Sequence, residues 1–265
     1  MSEELNRERQ EVVDLARFGL PQTVSGTPFP ASQHGAPLVV DTDAGRDPAA
    51  AVALVLAAAE PSLALVVAVP GERARFVRGL LDSLGRSEVP VVPAAGELDA
   101  VAAVCAGEEG PVRWAALGPA TALARVLTEL PVLRPRIVAT LFGGPDEINI
   151  AVDPEAAATV LTAAELPKLV LAHSAAGTPV TGELVNGTHR ASLLVGRPSS
   201  NQGAALTLAA ALQLPFVDLF HDHVAVTADG RLERDPAGHL VRVSEDVDLP
   251  AFRRWLTAGR RPTSR

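Results

Sequence analysis

The chain has 265 residues, 48% hydrophobic but only 3% aromatic, and a formal net charge of −8 with a sequence pI near 5.3. This length can bury a substantial core, which must be built mainly from Ala, Val and Leu. The acidic balance argues against nucleic acid and anionic membranes as partners. Cys105 is the single cysteine, which excludes a disulfide framework. No apolar run reaches the roughly 18 residues of a membrane span, so we expect a cytoplasmic protein.

The first predicted element is an amphipathic helix over residues 3–18, because its apolar side chains lean to one side. A polar segment containing Pro, Gly and Ser follows it. We therefore divide the chain into an N-terminal helix and linker (1–36) and a single α/β domain (37–265). The helix is expected to pack on its own chain or on a second subunit.

From residue 37 onward, strand-like apolar runs alternate with helical segments. The predicted strands are "PLVV", "LALVVAV", "VPVVPA", "VRWAAL", "RIVATLF" and "KLVLA". The predicted helices cover residues 47–59, 72–84, 119–129 and 153–164, with a last one around Phe252 to Leu256. This alternation predicts a mainly parallel, Rossmann-like open sheet with helices on both faces. In such sheets ligands bind beyond the carboxyl ends of the strands.

Three aspartates follow the first predicted strand: Asp41, Asp43 and Asp47 in "PLVVDTDAGRDPAAAV". Asp47 before Pro48 is a typical helix start, with an N-cap and a proline at the first helical position. Asp41 and Asp43 gain nothing from capping, and they repel each other unless a cation or hydrogen-bond donors lie between them. The cluster therefore favours a functional site, with a purely structural role as the alternative.

Three later segments extend the pattern. They are "ALGPATALARVL" (116–127), "FGGPDEINIAVDPEAAATVL" (142–161) and "LFHDHVAV" (219–226). In order, spacing and residue identity, these segments and the aspartate cluster resemble the nucleoside hydrolase family, the inosine–uridine-preferring N-ribohydrolases. The resemblance covers roughly residues 37–226.

Three motifs carry this resemblance. The family's opening motif, DxDxGxDD, is matched up to its seventh position, where Asp47 stands. Its glycine-rich strand end, followed by E-F-N and then D-P-E-A-A, appears here as "GGPDEIN" and "DPEAA". Its late His-Asp pair appears as His221 and Asp222. The combination of the first two motifs is specific, whereas either alone would be a moderate signal.

The resemblance implies an enzyme of purine or pyrimidine nucleoside metabolism that hydrolyses the N-glycosidic bond of a ribonucleoside or a related N-ribosyl compound. It implies a Ca²⁺ ion bound by Asp43, Asp222 and the backbone carbonyl of Leu117, with Asp43 also acting as general base on the attacking water. His221 would donate a proton to the leaving base, with a structural histidine as the alternative. The implied substrate-binding residues are Asp47, Glu147, Asn149 and Asp222. The implied partners are a small nucleoside-like ligand and further copies of the chain in a dimer or tetramer.

The chain departs from the family pattern at several points. Pro48 stands where the family has a second consecutive aspartate, a principal calcium ligand, so we expect Ca²⁺ binding to be weakened or absent. Glu72 stands where the family has asparagine, and only fifteen residues lie between Gly96 and Val112, where the family has a longer loop. The few aromatic residues also argue against an aromatic base pocket.

Two alternative functions stay open. The chain is either a hydrolase of altered specificity or a catalytically inactive homologue that binds a ribosyl ligand or serves a structural role. A third reading compares "VVDTDAG" with the first motif of haloacid-dehalogenase-type phosphatases, in which Asp41 would be the nucleophile and Asp43 the acid. Lys168, the only lysine of the chain, would then have to bind phosphate. The "INIAVDPEAA" segment has no explanation in that reading.

Overall fold

The structure is a computed structural model, which describes residues 35–45, 48–107, 109–143, 148–171, 202–227 and 229–258. The helix predicted over residues 3–18 and most of the linker lie outside these residues. None of the helices within the described ranges is long and apolar enough to cross a membrane.

The described residues form one nine-stranded sheet in the order β3-β2-β1-β4-β5-β6-β9-β7-β8. All neighbouring pairs from β3 to β9 are parallel, whereas β7 is antiparallel to both β9 and β8. The strands are β1 (Leu38–Thr42), β2 (Leu63–Ala68), β3 (Val91–Pro93), β4 (Val112–Ala116), β5 (Ile137–Gly143), β6 (Lys168–Leu171), β7 (Val217–Val226), β8 (Leu232–Arg234) and β9 (His239–Val247).

Helices cover both faces of this sheet, which confirms the predicted open, mainly parallel architecture. They are α1 (Pro48–Ala58), α2 (Glu72–Ser83), α3 (Glu97–Ala106), α4 (Thr121–Glu129), α5 (Ile148–Val152), α6 (Pro154–Ala163), α7 (Gly203–Ala211) and α8 (Leu249–Ala258), with a 3₁₀ helix at Pro131–Arg136. One face packs against α1, α2, α7 and α8, and the other against α3, α4, α5 and α6.

The six predicted strands correspond to β1–β6, and the five predicted helices of this domain correspond to α1, α2, α4, α6 and α8. Helix α1 shows why an apolar sequence predicted a buried element correctly. All eleven residues of "PAAAVALVLAA" are buried, because α1 lies between the sheet and neighbouring helices. A helix that is apolar on all sides is expected in such a central position.

Helix α7 approaches β5 so closely that any side chain at its first residue would displace the Phe142 ring. A Cβ placed on Gly203 would lie 2.0 Å from Cζ of Phe142, which is far inside van der Waals contact. The opposite end of α7 lies near the start of β6, because Nζ of Lys168 donates a hydrogen bond to the carbonyl of Ala210 at 3.3 Å. The helix therefore runs from the carboxyl edge of the sheet toward its amino edge.

Candidate functional site

The candidate site begins where β1 and β4 end side by side. The backbone N–H of Leu117 donates to the carbonyl of Asp41 at 2.8 Å, which holds the two strand ends together. Gly118 then passes directly against Asp43, since a Cβ at Gly118 would lie 3.3 Å from the Asp43 nitrogen. Asp43 is half-buried at this edge.

Asn149 reaches the same place from α5. Its Nδ2 donates to the carbonyl of Leu117 at 3.4 Å. A neighbouring contact fixes the segment after it, because the Asp153 carboxylate caps α6 through the N–H of Ala156 (3.0 Å) and accepts the Thr121 hydroxyl at 2.5 Å. The structure thus brings Asp43, the Leu117 carbonyl and Asn149 together at the carboxyl edge.

A second acid, which the sequence reading did not single out, lies beneath this edge. Glu97 opens α3 and is fully buried, and within the described residues its carboxylate oxygens make no hydrogen bond. Its nearest described cation is Arg125, with Nη1 3.7 Å from Oε1. An acidic residue in the first turn of a helix is too common to mark a site, so the sequence carried no specific signal for Glu97.

Asp41 is the most strongly perturbed carboxyl group of this region. It is 6% exposed, and its Oδ2 has no hydrogen-bond partner among the described residues. Burial raises the pKa of Asp41 well above its usual range, and the negative charges of Glu97 and then Asp43 raise it further. Like-charged groups packed in this way are characteristic of functional sites.

The start of α7 brings one more polar side chain to this edge. Gln202 precedes Gly203, which touches Phe142 near the carboxyl end of β5, and Gln202 is fully buried. No motif in the sequence indicated this residue, because its position depends on how α7 crosses the sheet.

Comparison with known proteins identifies the fold through structure alone, since no family model and no curated protein sequence matches the chain. The inosine-uridine preferring nucleoside hydrolase from Bacillus anthracis superposes with a TM-score of 0.69, covering 86% of this chain and 100% of that one at 18% identity. The plant nucleoside hydrolase PpNRh1 gives 0.68 over 86% and 100% at 19% identity. An inosine-guanosine nucleoside hydrolase gives 0.70 over 87% and 100% at 18% identity. The chain has the nucleoside hydrolase fold.

On this nucleoside hydrolase fold, the structure places His221 and Asp222 away from the site, and the prediction that Asp222 lines one pocket with Asp43 is wrong. Both residues lie in the middle of β7, opposite Arg242 and Val241 of β9. Four strands lie between β1 and β7 in the sheet. The two strands are therefore five spacings apart, which is about 24 Å at roughly 4.8 Å per spacing.

Asp222 also has a different partner from the one predicted. Its Oδ2 lies 2.9 Å from Nε of Arg234, in a partly exposed ion pair. The sequence assigned His221 and Asp222 to the site only through the family resemblance, as a pair ahead of an apolar run. The segment is instead the interior of an antiparallel strand, and this follows from tertiary pairing rather than from local sequence.

The described donors do not fit a calcium cage. Asp43 and the Leu117 carbonyl lie together, but Pro48 has no side-chain oxygen and Asp222 is remote, whereas Ca²⁺ takes six to eight oxygen ligands. Within the described ranges, no three His, Cys, Asp or Glu residues are grouped so that they could hold a metal ion. Asp47 and Glu147, which were predicted to bind the ribose, lie outside the described residues.

The phosphatase reading also finds no support in the position of Lys168. This lysine is the first residue of β6, three strands from β1, and it is buried beneath the end of α7. It belongs to the sheet face opposite to the one that Asp41 faces, so the two residues cannot act on one phosphoryl group.

Proposed function

We propose that this protein binds the ribosyl group of a nucleoside or a related N-ribosyl compound at the carboxyl edge of β1 and β4, and that it hydrolyses the N-glycosidic bond. The observation that supports this most directly is the juxtaposition of Asp43, the Leu117 carbonyl and Asn149 on a nucleoside hydrolase fold. The three solved neighbours are named as nucleoside hydrolases.

In the proposed reaction, Asp43 is the general base. A water oxygen forms a bond to the anomeric carbon while the bond from that carbon to the base nitrogen breaks, and the electron pair leaves with the base. Asp43 takes the proton of the attacking water, a role that typically contributes a factor of about 10²–10⁴ to the rate. With His221 remote, the leaving nitrogen takes its proton from solvent or from a group other than this histidine.

Asn149 is proposed to bind a ribose hydroxyl from the edge where it contacts Leu117. Asp47 and Glu147 are proposed for the same task on the sequence resemblance alone. The buried Asp41 and Glu97 lie close to Asp43, and a negative charge on either of them favours a positively charged group at this edge. An oxocarbenium-like ribosyl centre is such a group.

Calcium enters this proposal only as a weak ligand. When bound, such an ion would polarise the attacking water and orient the ribose hydroxyls. Asp43 and Leu117 are the described residues placed to contact it, and Pro48 removes the carboxylate that the family resemblance assigns to the next position. We therefore propose that Ca²⁺ binds this protein far more weakly than a site with two consecutive aspartates would bind it.

The second candidate function is an inactive ribosyl-binding homologue, and Pro48 together with the remote Asp222 favours it. The two functions separate in one experiment on the full chain. Ribose release from inosine and uridine is measured alongside calorimetric binding of the same nucleosides. Hydrolysis that falls about 100-fold in Asp43→Asn but is unchanged in Asp99→Asn, an exposed acid in the first turn of α3, supports the enzyme.

Binding without hydrolysis would establish the inactive homologue instead. Neither binding nor hydrolysis of any nucleoside, in a protein that is folded by circular dichroism, would rule out both functions.

A further inference from the structure

Three basic side chains form a row across neighbouring strands, far from the candidate site. Lys168 on β6 pairs with Arg242 on β9, and Arg242 pairs with His221 on β7. Residues that pair across strands point to the same face, at spacings of about 5 Å. The row therefore runs perpendicular to the strands on the face that α7 covers.

No carboxylate among the described residues neutralises this row. Neither the Arg242 guanidinium nor the His221 ring makes a hydrogen bond or an ion pair within the described part of the chain, and Lys168 donates only to the Ala210 carbonyl. Burial, and then the positive charges of Arg242 and Arg113, lower the pKa of Lys168 to about 8. The chain has 31 acidic residues against 23 Lys and Arg, so its composition offers many acids that could have paired with the row.

The solvent exposure of the three side chains increases from Lys168 to His221, so a ligand could reach the row from the His221 end. Lys168 is 2% exposed beneath the end of α7, Arg242 is half-buried and His221 is exposed. Two acids of the same hairpin, Glu233 on β8 and Asp235 just after it, lie beside Ala225 and His223, on the face of the row but beyond β7 as seen from Lys168. Asp222, next to His221 in sequence, lies on the opposite face of β7 and pairs with Arg234.

We propose that Lys168, Arg242 and His221 form a binding site for a phosphate-like oxyanion. The planar Arg242 guanidinium matches two oxygens of such an anion, the His221 ring supplies a further donor, and the buried Lys168 ammonium adds charge from behind. The site lies on the opposite face of the sheet from the Asp41 side chain, on strands that are three to five strand spacings from β1. It is therefore independent of the proposed nucleoside site, and either one stands without the other.

The test is calorimetric titration of the full chain with inorganic phosphate at pH 7 and constant ionic strength. We expect saturable binding to one site. Arg242→Gln should weaken it at least about tenfold, because a charge-assisted contact to the anion is lost. His221→Gln should weaken it by a smaller factor. Arg231→Gln is the matched control, since Arg231 lies just before β8 on the same hairpin and pairs with Asp229; it should leave phosphate affinity unchanged.

Two results would overturn the site. One is the absence of saturable phosphate binding by the unmodified protein. The other is an equal loss of affinity in Arg231→Gln and Arg242→Gln, which would mean that phosphate responds only to net charge. If Arg242→Gln does not fold by circular dichroism, His221→Gln decides the matter, because this exposed side chain contributes little to the core. Unchanged affinity in that variant would remove the site as well.

Discussion

Two regions of this molecule bury charged groups of the same sign close together, and the regions differ in the hydrogen-bond partners that these groups have. At the carboxyl edge, Asp41 and Glu97 are buried side by side, and neither the Oδ2 of Asp41 nor the Glu97 carboxylate has a hydrogen-bond partner within the described structure. Toward the amino edge, Arg113 and Lys168 are equally buried, but their donors reach backbone carbonyls or a hydroxyl.

The difference follows from what the backbone can offer. A buried cation is solvated by carbonyl oxygens, which are abundant at helix and strand ends: Arg113 donates to Ala36 at 2.7 Å, and Lys168 donates to the last turn of α7. A buried carboxylate needs N–H donors, and in parallel strands these are already engaged in the sheet. The buried cations Arg113 and Lys168 are therefore stabilised by hydrogen-bond acceptors of the protein. In the acidic region, Glu97 has the Arg125 guanidinium at 3.7 Å, and the Oδ2 of the buried Asp41 carboxyl is left for a proton or a positively charged ligand.

The largest effect is expected for Pro48→Asp, which adds a carboxylate to the acidic region at the carboxyl edge. Calcium affinity in oxygen cages rises with the number of charged ligands, so we expect the variant to bind Ca²⁺ at least about 100-fold more tightly than the unmodified protein. Calorimetric titration with CaCl₂ measures both constants. Pro48→Asn is the control, because it removes the proline without adding charge. Equal affinity in the unmodified protein and in Pro48→Asp would mean that another ligand has replaced the missing aspartate.

Lys168→Met tests the cationic end. The pKa of Lys168 is lowered to about 8 in the folded state, against an ordinary value of 10.5. Between these pH values the unfolded chain binds more protons, so this lysine makes the free energy of unfolding increase as pH rises. The increase amounts to about 3 kcal/mol at roughly 1.4 kcal/mol per pKa unit. Urea unfolding from pH 7.5 to 10.5 should show it in the unmodified protein and not in Lys168→Met. Parallel pH curves for the two proteins would contradict the prediction.

Asp41→Asn tests the acidic end and should raise stability. Burial raises the pKa of Asp41, so the folded state keeps this proton to a higher pH than the unfolded state does. The resulting stability is present at low pH and is lost as pH rises through the folded pKa. The neutral amide avoids that loss, and we expect a gain of about 1–3 kcal/mol at pH 8 with little gain at pH 4. Thermal unfolding at both values measures it, and a gain that is equal at both pH values would argue against a charged Asp41.

The smallest effect is expected at Asp222, where opposite charges meet near the surface. Asp222→Asn breaks the ion pair with Arg234, whose side chain is 63% exposed. The loss should be at most about 1 kcal/mol and smaller still in high salt. A double-mutant cycle with Arg234→Gln isolates the pair. A large loss of nucleoside hydrolysis in Asp222→Asn, with stability unchanged, would contradict this prediction and would mean that Asp222 belongs to the active site.

Local sequence was sufficient for much of the fold. The apolar runs that became β1–β6 and the helices that follow most of them were readable because a strand buried on both faces must be apolar throughout. The position of Asp43 could be predicted because an acid directly after such a strand falls at the carboxyl edge. The antiparallel hairpin of β7 to β9 was missed, since its strands are partly exposed and their residues alternate less clearly.

The sequence by itself therefore determined the alternation of strands and helices, the position of Asp43 at a strand end and the loss of a carboxylate at Pro48. Tertiary structure alone decided which distant residues share a site. It placed Glu97 under Asp41 through the packing of α3, and it aligned Lys168, Arg242 and His221 through the pairing of β6, β9 and β7. It also moved Asp222 away from Asp43. The physical reason is that side-chain chemistry and local periodicity are properties of neighbouring residues, whereas strand order and register depend on burial summed over the whole sheet.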